Sequence, residues 1–330
     1  MISVRHIAGI MTLALGMTPL ASSLAQDAGN YPARPIHFIV PAAAGGPTDV
    51  VGRMLADKLG EEIGQTVVVE NRPGGGMTLG ATVVGNSAPD GYTLLFTPNA
   101  PLLMTPFVRS DLPYDVKRDF RIVTHVASLP LVVFVNTDTG INTLAELAEK
   151  ARANPGKMAY GSYGVGSNSH ILGADFSRQQ NLDMIHVPYK GVAPLLNELA
   201  GGQILSGAAD VGTARGLMAA GKIRGIAVSG TKRSQALPDV PTFAEQGVPG
   251  MEPFSPWLGV FAPAKTPDAI VKKVSTALEK VVRDPEFVER LKPLGMEATG
   301  AGVDKATEMM SSDLAQWERI MANLSHIKFE

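Results

Sequence analysis

Two segments of this chain each pass from a short apolar strand, through a loop of small residues, into a helix. The first is IHFIVPAAAGGPTDVVGRML, Ile36 to Leu55; the second is MAYGSYGVGSNSHILGADF, Met158 to Phe176. That order restricts the fold strongly, because strand, glycine loop and helix in succession form the unit of an α/β sheet. A helix start leaves backbone N–H groups without partners, with the positive end of the helix dipole behind them. Such a loop holds an anion without a charged side chain. Two of them, far apart in sequence, predict one small anion held from two sides.

The alternation continues beyond these segments. Strands are expected at Ile36–Val40, Thr66–Val69 and Thr93–Phe96, with a helix over Asp49–Ile63 whose Val51, Leu55 and Leu59 share one face. This reads as a parallel α/β sheet. A second unit begins near Ser128 with the strand LVVFVN. Thr143 and Glu146 form a capping box for a helix that NPG at Asn154–Gly156 ends. Further strands are expected at Met158–Tyr160, Met184–Val187 and Ile223–Val228. The stretch from Leu237 to Trp257 carries five prolines and reads as a surface connection. A last strand, Leu258–Phe261, precedes three helices, the longest from Val303 to about Leu324. The closing helices look unable to form a core alone and are expected to pack on the first lobe. The organisation is then a discontinuous lobe, residues 26–127 plus 252–330, and an inserted lobe, residues 128–251. That is a clam-shell layout, with a ligand in the cleft and a hinge at two crossings.

At 330 residues there is room for two domains. With 18% charged residues and a net charge of −2, no basic patch offers a footprint for nucleic acid. Cysteine is absent, which removes disulfides, thiol catalysis and cysteine-ligated metals. At the start, Arg5 and His6 precede an apolar run from Ile7 to Leu20, then ASSLAQ places Ser23 and Ala25 where signal peptidase reads small residues. Residues 1–25 are expected to be a cleaved secretory signal peptide, which makes the mature protein soluble and exported to the periplasm.

Several enzyme signatures fail. There is no GxxxxGK loop and no HExxH, and Ser162 lacks the first glycine of a GxSxG elbow. The histidines are scattered without metal-ligand spacing. No catalytic residue, metal or cofactor is therefore assigned, and the loops are read as a binding site. Gly45 and Gly46 let backbone approach a ligand, and Thr48 offers a hydroxyl and a helix cap. Asp49 is either a dipole partner or, if it faces the cleft, a group that holds an amine or a water. Ser162, Ser167, Asn168 and Ser169 supply neutral donors for a carboxylate, or simply cap a helix. His170 is read as a structural partner or a ligand contact, Lys190 as a cleft cation or an exposed turn lysine, and Trp257 as core or cleft wall.

With those residues in view, the chain closely resembles the extracytoplasmic receptors of tripartite tricarboxylate transporters, the Bug-type family. The resemblance runs from about Tyr31 onward through YPARPIHFIVPAAAGGPTDVVGR, GQTVVVENRPGGG, APDGYTLLF, ANPGKMAYGSYGVGSNSH, IHVPYKG, AGKIRGIAVSGTKRSQALPDVPTFAEQG and PWLGVFAPAKTP. It implies a two-lobed, type II periplasmic binding protein that closes on a small organic carboxylate and delivers it to membrane transporter subunits, with a monomer expected. One ligand carboxylate would meet the loops at Ala43, Ala44, Gly45, Gly46 and Thr48 and at Ser162, Gly166, Ser167, Asn168 and Ser169; Asp49, which would repel an anion but could hold an amine or a water, and His170 are added beside them as candidate ligand contacts. The remainder of the ligand would meet Lys190, Gly191 and Asp210, with Trp257 added as a cleft wall. The chain departs from the family pattern at Ala42-Ala43, Pro47, Met77 and Ile204-Leu205, and these departures are expected to surround the cleft. Two other classes remain as alternatives: a periplasmic sensor subunit, and an exported hydrolase using Ser162 or Ser167 with a histidine.

Overall fold

The computed structural model describes residues 30–325; the expected signal peptide lies outside them. Eleven strands form two sheets. The first contains β1 (Ile36–Val40), β2 (Val67–Asn71), β3 (Thr93–Pro98), β4 (Phe120–Ser128), β10 (Trp257–Pro263) and β11 (Glu297–Ala301), in the order β11-β4-β10-β3-β1-β2. The second contains β5 (Leu131–Asn136), β6 (Met158–Ser162), β7 (Met184–Pro188), β8 (Ser206–Asp210) and β9 (Ile223–Val228), in the order β7-β6-β8-β5-β9.

Both sheets are mixed, which corrects the expectation of a parallel sheet. β1 pairs β2 and β3 in parallel, but β10 runs antiparallel between β3 and β4. In the second sheet β5 is antiparallel to both β8 and β9. The cause is the connectivity. The chain leaves the first sheet at Leu129–Pro130 and re-enters at Trp257, so β10, and β11 after it, run against β4, while in the second sheet β5 alone runs against its neighbours. Leu129 N–H donates to Pro256 O at 2.7 Å, joining the two crossings. Strands β4, β8 and β11 escape a reading from hydrophobic pattern. β8 is SGAAD and β11 is EATGA, with almost none of the β-branched bulk that marks a strand. β4, FRIVTHVAS, is buried on both faces and does not alternate.

The strand directions place the loops. β4 ends at the crossing, and β3 and β1 run parallel to it through the antiparallel β10. The C-terminal ends of β1 and β3 therefore point at the second lobe. β5 begins at the crossing, so β8, β6 and β7 all end toward the first lobe. The loop after β1 and the loop after β6 thus open at the facing ends of their sheets, where α/β proteins bind ligands.

The apolar core is divided accordingly. The amphipathic helices Pro47–Ile63 and Asp268–Arg283 bury Val51, Leu55, Leu59, Val274 and Leu278 against one face of the first sheet. The helix Val192–Ala200 buries Leu195, Leu196 and Leu199 on the second sheet. A third cluster runs through both lobes by way of Phe254, Trp257 and Trp317. The C-terminal helix Val303–Asn323 packs against β4 and contributes Trp317, so it does return to the first lobe.

Candidate ligand-binding site

In the first loop, Gly45 takes φ +80°, a left-handed value that glycine tolerates, and Gly46 is the N-cap of the helix Pro47–Ile63. Pro47 sits at the first helical position, where its missing N–H costs nothing. Thr48 is thus inside the helix rather than its cap. Its hydroxyl and the N–H groups of Ala43, Ala44, Thr48 and Asp49 find no protein acceptor among the described residues.

Asp49 is turned inward. Its side chain is 2% exposed and accepts from Gly45 N–H at 2.8 Å, Arg53 Nε at 3.0 Å and Asn71 Nδ2 at 2.8 Å. Burial works to raise its pKa, but the bonds from Arg53, Gly45 and Asn71 outweigh that and hold the carboxyl below its usual range. Asp49 therefore supports the loop, and the geometry corrects its assignment as a ligand contact. Asn71, at the end of β2, ties this arrangement to Ala42 O at 3.0 Å. Nothing in the sequence singled it out; only the parallel register of β1 and β2 brings it there.

The second loop is more heavily bonded. Ser167 caps the helix Asn168–Gln179, accepting from His170 N–H at 3.3 Å while its own hydroxyl donates to Gly164 O at 2.6 Å. Ser169 Oγ accepts from Tyr163 N–H at 3.1 Å. Gly166 N–H is not free for a ligand, because it donates to His170 Nδ1 at 3.0 Å. The N–H groups of Val165 and Asn168 have no protein acceptor among the described residues, whereas the Ser169 N–H is engaged by the Tyr163 hydroxyl. Asn168 is buried with an unpartnered Oδ1, an acceptor whose burial is costly until a donor reaches it. The helix lies close on β6 because residue 173 is glycine: a Cβ there would sit 2.3 Å from the Tyr160 ring.

His186 is the residue that the sequence concealed. It pairs with Tyr160 in the parallel register of β6 and β7, and its ring stacks on His170 with centroids 3.6 Å apart and planes 5° from parallel. Its Nε2 lies 2.7 Å from Ser162 Oγ. The hydrolase reading required such a contact, so it survives that test. It meets other obstacles: Ser162 is 0% exposed, and no carboxylate bonds His186 among the described residues to complete a triad.

The other candidates are spread along the same edge. Lys190 is exposed at the end of β7, without an ion pair among the described residues, and Gly191 caps the helix Val192–Ala200 with φ +113°. Asp210 ends β8, beside β6, but both its oxygens are engaged by Thr213, whose N–H and hydroxyl donate at 2.7 and 2.9 Å. Trp257 is 3% exposed, donates from Nε1 to Asp313 Oδ2 at 2.8 Å and stacks on His125. It lines a hinge cavity of about 390 Å³ with His125 and Asp313, not the space between the loops. A larger cavity of about 690 Å³, lined by Arg215, Lys292, Met296 and Glu297, also lies on the β9/β11 side of the hinge. Trp257 is therefore corrected from cleft wall to core. The departure at Ile204-Leu205 is corrected likewise. Both residues are buried before β8, at the end of the sheet remote from the loops.

Comparison with known proteins gives the family and the fold. The family model described as tripartite tricarboxylate transporter family receptor matches residues 51–325. BugT of Bordetella pertussis is 32% identical over 89% of this chain and 90% of its own length. An R. palustris protein solved with adipate is 31% identical, with a TM-score of 0.72 over 89% of this chain and 98% of that one. MatC from Rhodopseudomonas palustris, solved with malate, is 28% identical, with a TM-score of 0.69 over 88% of this chain and 100% of that one. Both the sequence resemblance and the two-lobed α/β fold are thereby established, and the chain belongs to the Bug-type receptors of tripartite tricarboxylate transporters, periplasmic solute-binding proteins rather than enzymes.

Proposed function

We propose that this protein captures a small organic carboxylate between the Ala43–Thr48 and Ser162–Ser169 loops and presents the closed form, as a monomer, to the membrane subunits of a tripartite tricarboxylate transporter. The observation that carries the reading is the pair of helix N-termini at the facing ends of the two sheets, each with backbone N–H groups that have no acceptor among the described residues. Dipoles and neutral donors bind a carboxylate without burying a second charge. The adipate and malate held by two relatives supply the ligand class. Closure would turn the lobes about Leu129–Pro130 and Ser255–Trp257, where the chain crosses. Lys190, Gly191 and Asp210 border the second loop and are the proposed contacts for the remainder of the ligand.

A thermal-shift screen of the mature protein against mono-, di-, tri- and aromatic carboxylates tests this. A ligand at ~100 times its dissociation constant adds roughly 2.7 kcal/mol, a plain rise in melting temperature. A panel in which no carboxylate raises the melting temperature would overturn the reading. Delivery is tested by growth on the selected carboxylate with and without the membrane subunits.

A further inference from the structure

We propose that His170 and His186 act together as positioning residues that set the second loop for anion capture, and that His170 does so only while its ring is neutral. The inference rests on the proposed role of that loop and goes on to name what controls it. Gly166 N–H donates to His170 Nδ1, so that nitrogen carries a lone pair and the ring's proton is on Nε2. A protonated His170 would set an N–H against the Gly166 N–H, donor facing donor. The loop would then lose the bond that turns Gly166 inward at φ +70°. Gly166 precedes Ser167, the cap of the helix whose free N–H groups face the cleft, so its release unsettles the anion site itself.

His186 reinforces this from the opposite side. It holds Ser162 Oγ, which also bonds Gly164 O and Gly164 N–H at 3.0 and 3.3 Å, and so fixes the loop's other end. The rings are in face-to-face contact, so a charge on one discourages a charge on the other. Burial, joined by His186, pulls His170 down to about 4, and burial lowers His186 as well. The surrounding titratable groups are Tyr160 on β6, whose ring lies 5.1 Å from His186, and Tyr163 on the loop, which burial keeps un-ionised. Asp210, at the end of β8, acts on Tyr163 and is itself engaged by Thr213.

The test reads the loop directly, by NMR of the full mature chain without ligand. At pH 7, imidazole ¹⁵N shifts are expected to show His170 as the neutral Nε2–H tautomer. On acidification the Gly166 and Ser167 amides should move with the His170 titration while circular dichroism still reports a folded protein. His170→Phe keeps an aromatic ring for the stack and removes the acceptor; His170→Asn keeps an acceptor. Gly166 amide exchange is expected to be about tenfold faster in the Phe variant, the upper end of one neutral hydrogen bond, and near wild type in the Asn variant. The proposal fails if His170 is charged or carries its proton on Nδ1 at pH 7. It also fails if Gly166 exchange is the same in both variants and wild type. Carboxylate binding by the wild type is measured alongside. Binding without Gly166 following His170 overturns the positioning role alone; Gly166 following His170 with no carboxylate bound overturns the proposed function alone.

Discussion

Removing the Asp49 carboxylate gives the sharpest test of how the first loop is built. Three donors converge on it in a site that is 2% exposed: Gly45 N–H, Asn71 Nδ2 and Arg53 Nε. A hydrogen bond to a charged group contributes roughly 1.5–3 kcal/mol. Arg53 is half exposed, so solvent takes over much of its share. Asn71 keeps its bond to Ala42 O. Asp49→Ala is therefore expected to cost about 3 kcal/mol, and Asp49→Asn, which preserves one acceptor, about half of that. Urea unfolding of the mature protein at pH 7 reads the cost as a lower midpoint at unchanged slope.

The sign of the pH dependence follows from the depressed pKa. A carboxylate held below its unfolded value of about 3.9 stabilises the fold above that pH, and the contribution disappears as pH falls through the folded value. The gap between wild type and Asp49→Ala should therefore narrow below about pH 4. Carboxylate affinity should fall with stability in both variants, because Gly45 is released. An Asp49→Ala protein with wild-type stability and abolished binding would refute the reasoning and make Asp49 a ligand contact.

Three further outcomes are expected. His125 and His170 titrate near 4 in the fold, against 6.5 for the free side chain, so the unfolded chain takes up protons first. Stability should fall between pH 6.5 and 4, by on the order of 3 kcal/mol for each group, and a flat urea midpoint across that window would exclude it. Gly173→Ala puts a methyl 2.3 Å from the Tyr160 ring and should cost about 1–3 kcal/mol, read as a lower melting temperature. Glu297 on β11 accepts from Ser234 Oγ at 2.9 Å and Gln235 N–H at 2.7 Å, behind the hinge. Glu297→Ala should cost about 2–3 kcal/mol and alter the radius of gyration in small-angle scattering, whereas a purely local role would leave the radius unchanged.

Much of the frame is legible in the residues. Helices with a clear apolar face, such as Val51-Leu55-Leu59, and caps such as Thr143, whose hydroxyl accepts Glu146 N–H at 3.1 Å, announce themselves locally. The glycine loops do so as well. Strands whose identity depends on their neighbours do not: β8 is made of small residues where Leu195 crowds Gly207, and β11, EATGA, carries little strand-forming bulk of its own. The same division applies to the site. Ser167 is a cap that a sequence reveals, while His186 and Asn71 reach the loops only through parallel pairing between strands that are distant in the chain. Periodicity describes one element at a time and contains no register.

This division bears on how a ligand would be selected. A grip made of backbone N–H groups is nearly independent of side-chain identity, so the two loops can accept a carboxylate from many molecules while stating little about which one. Selection must then come from side chains at the facing ends of the sheets. Ile204 and Leu205 depart from the family pattern but are buried at the opposite end of β8, so they answer to packing. Ala42, Ala43 and Pro47 lie in the first loop, and Met77 caps the helix Thr78–Gly85 just after β2, with φ +75°. β2 ends on the same side as β1. The unusual residues that remain near the site are thus confined to the first lobe, small and apolar apart from Met77. A jaw lined in this way supplies shape rather than charge, so under the proposed function polar discrimination would fall to Lys190 and Asn168 on the opposite lobe.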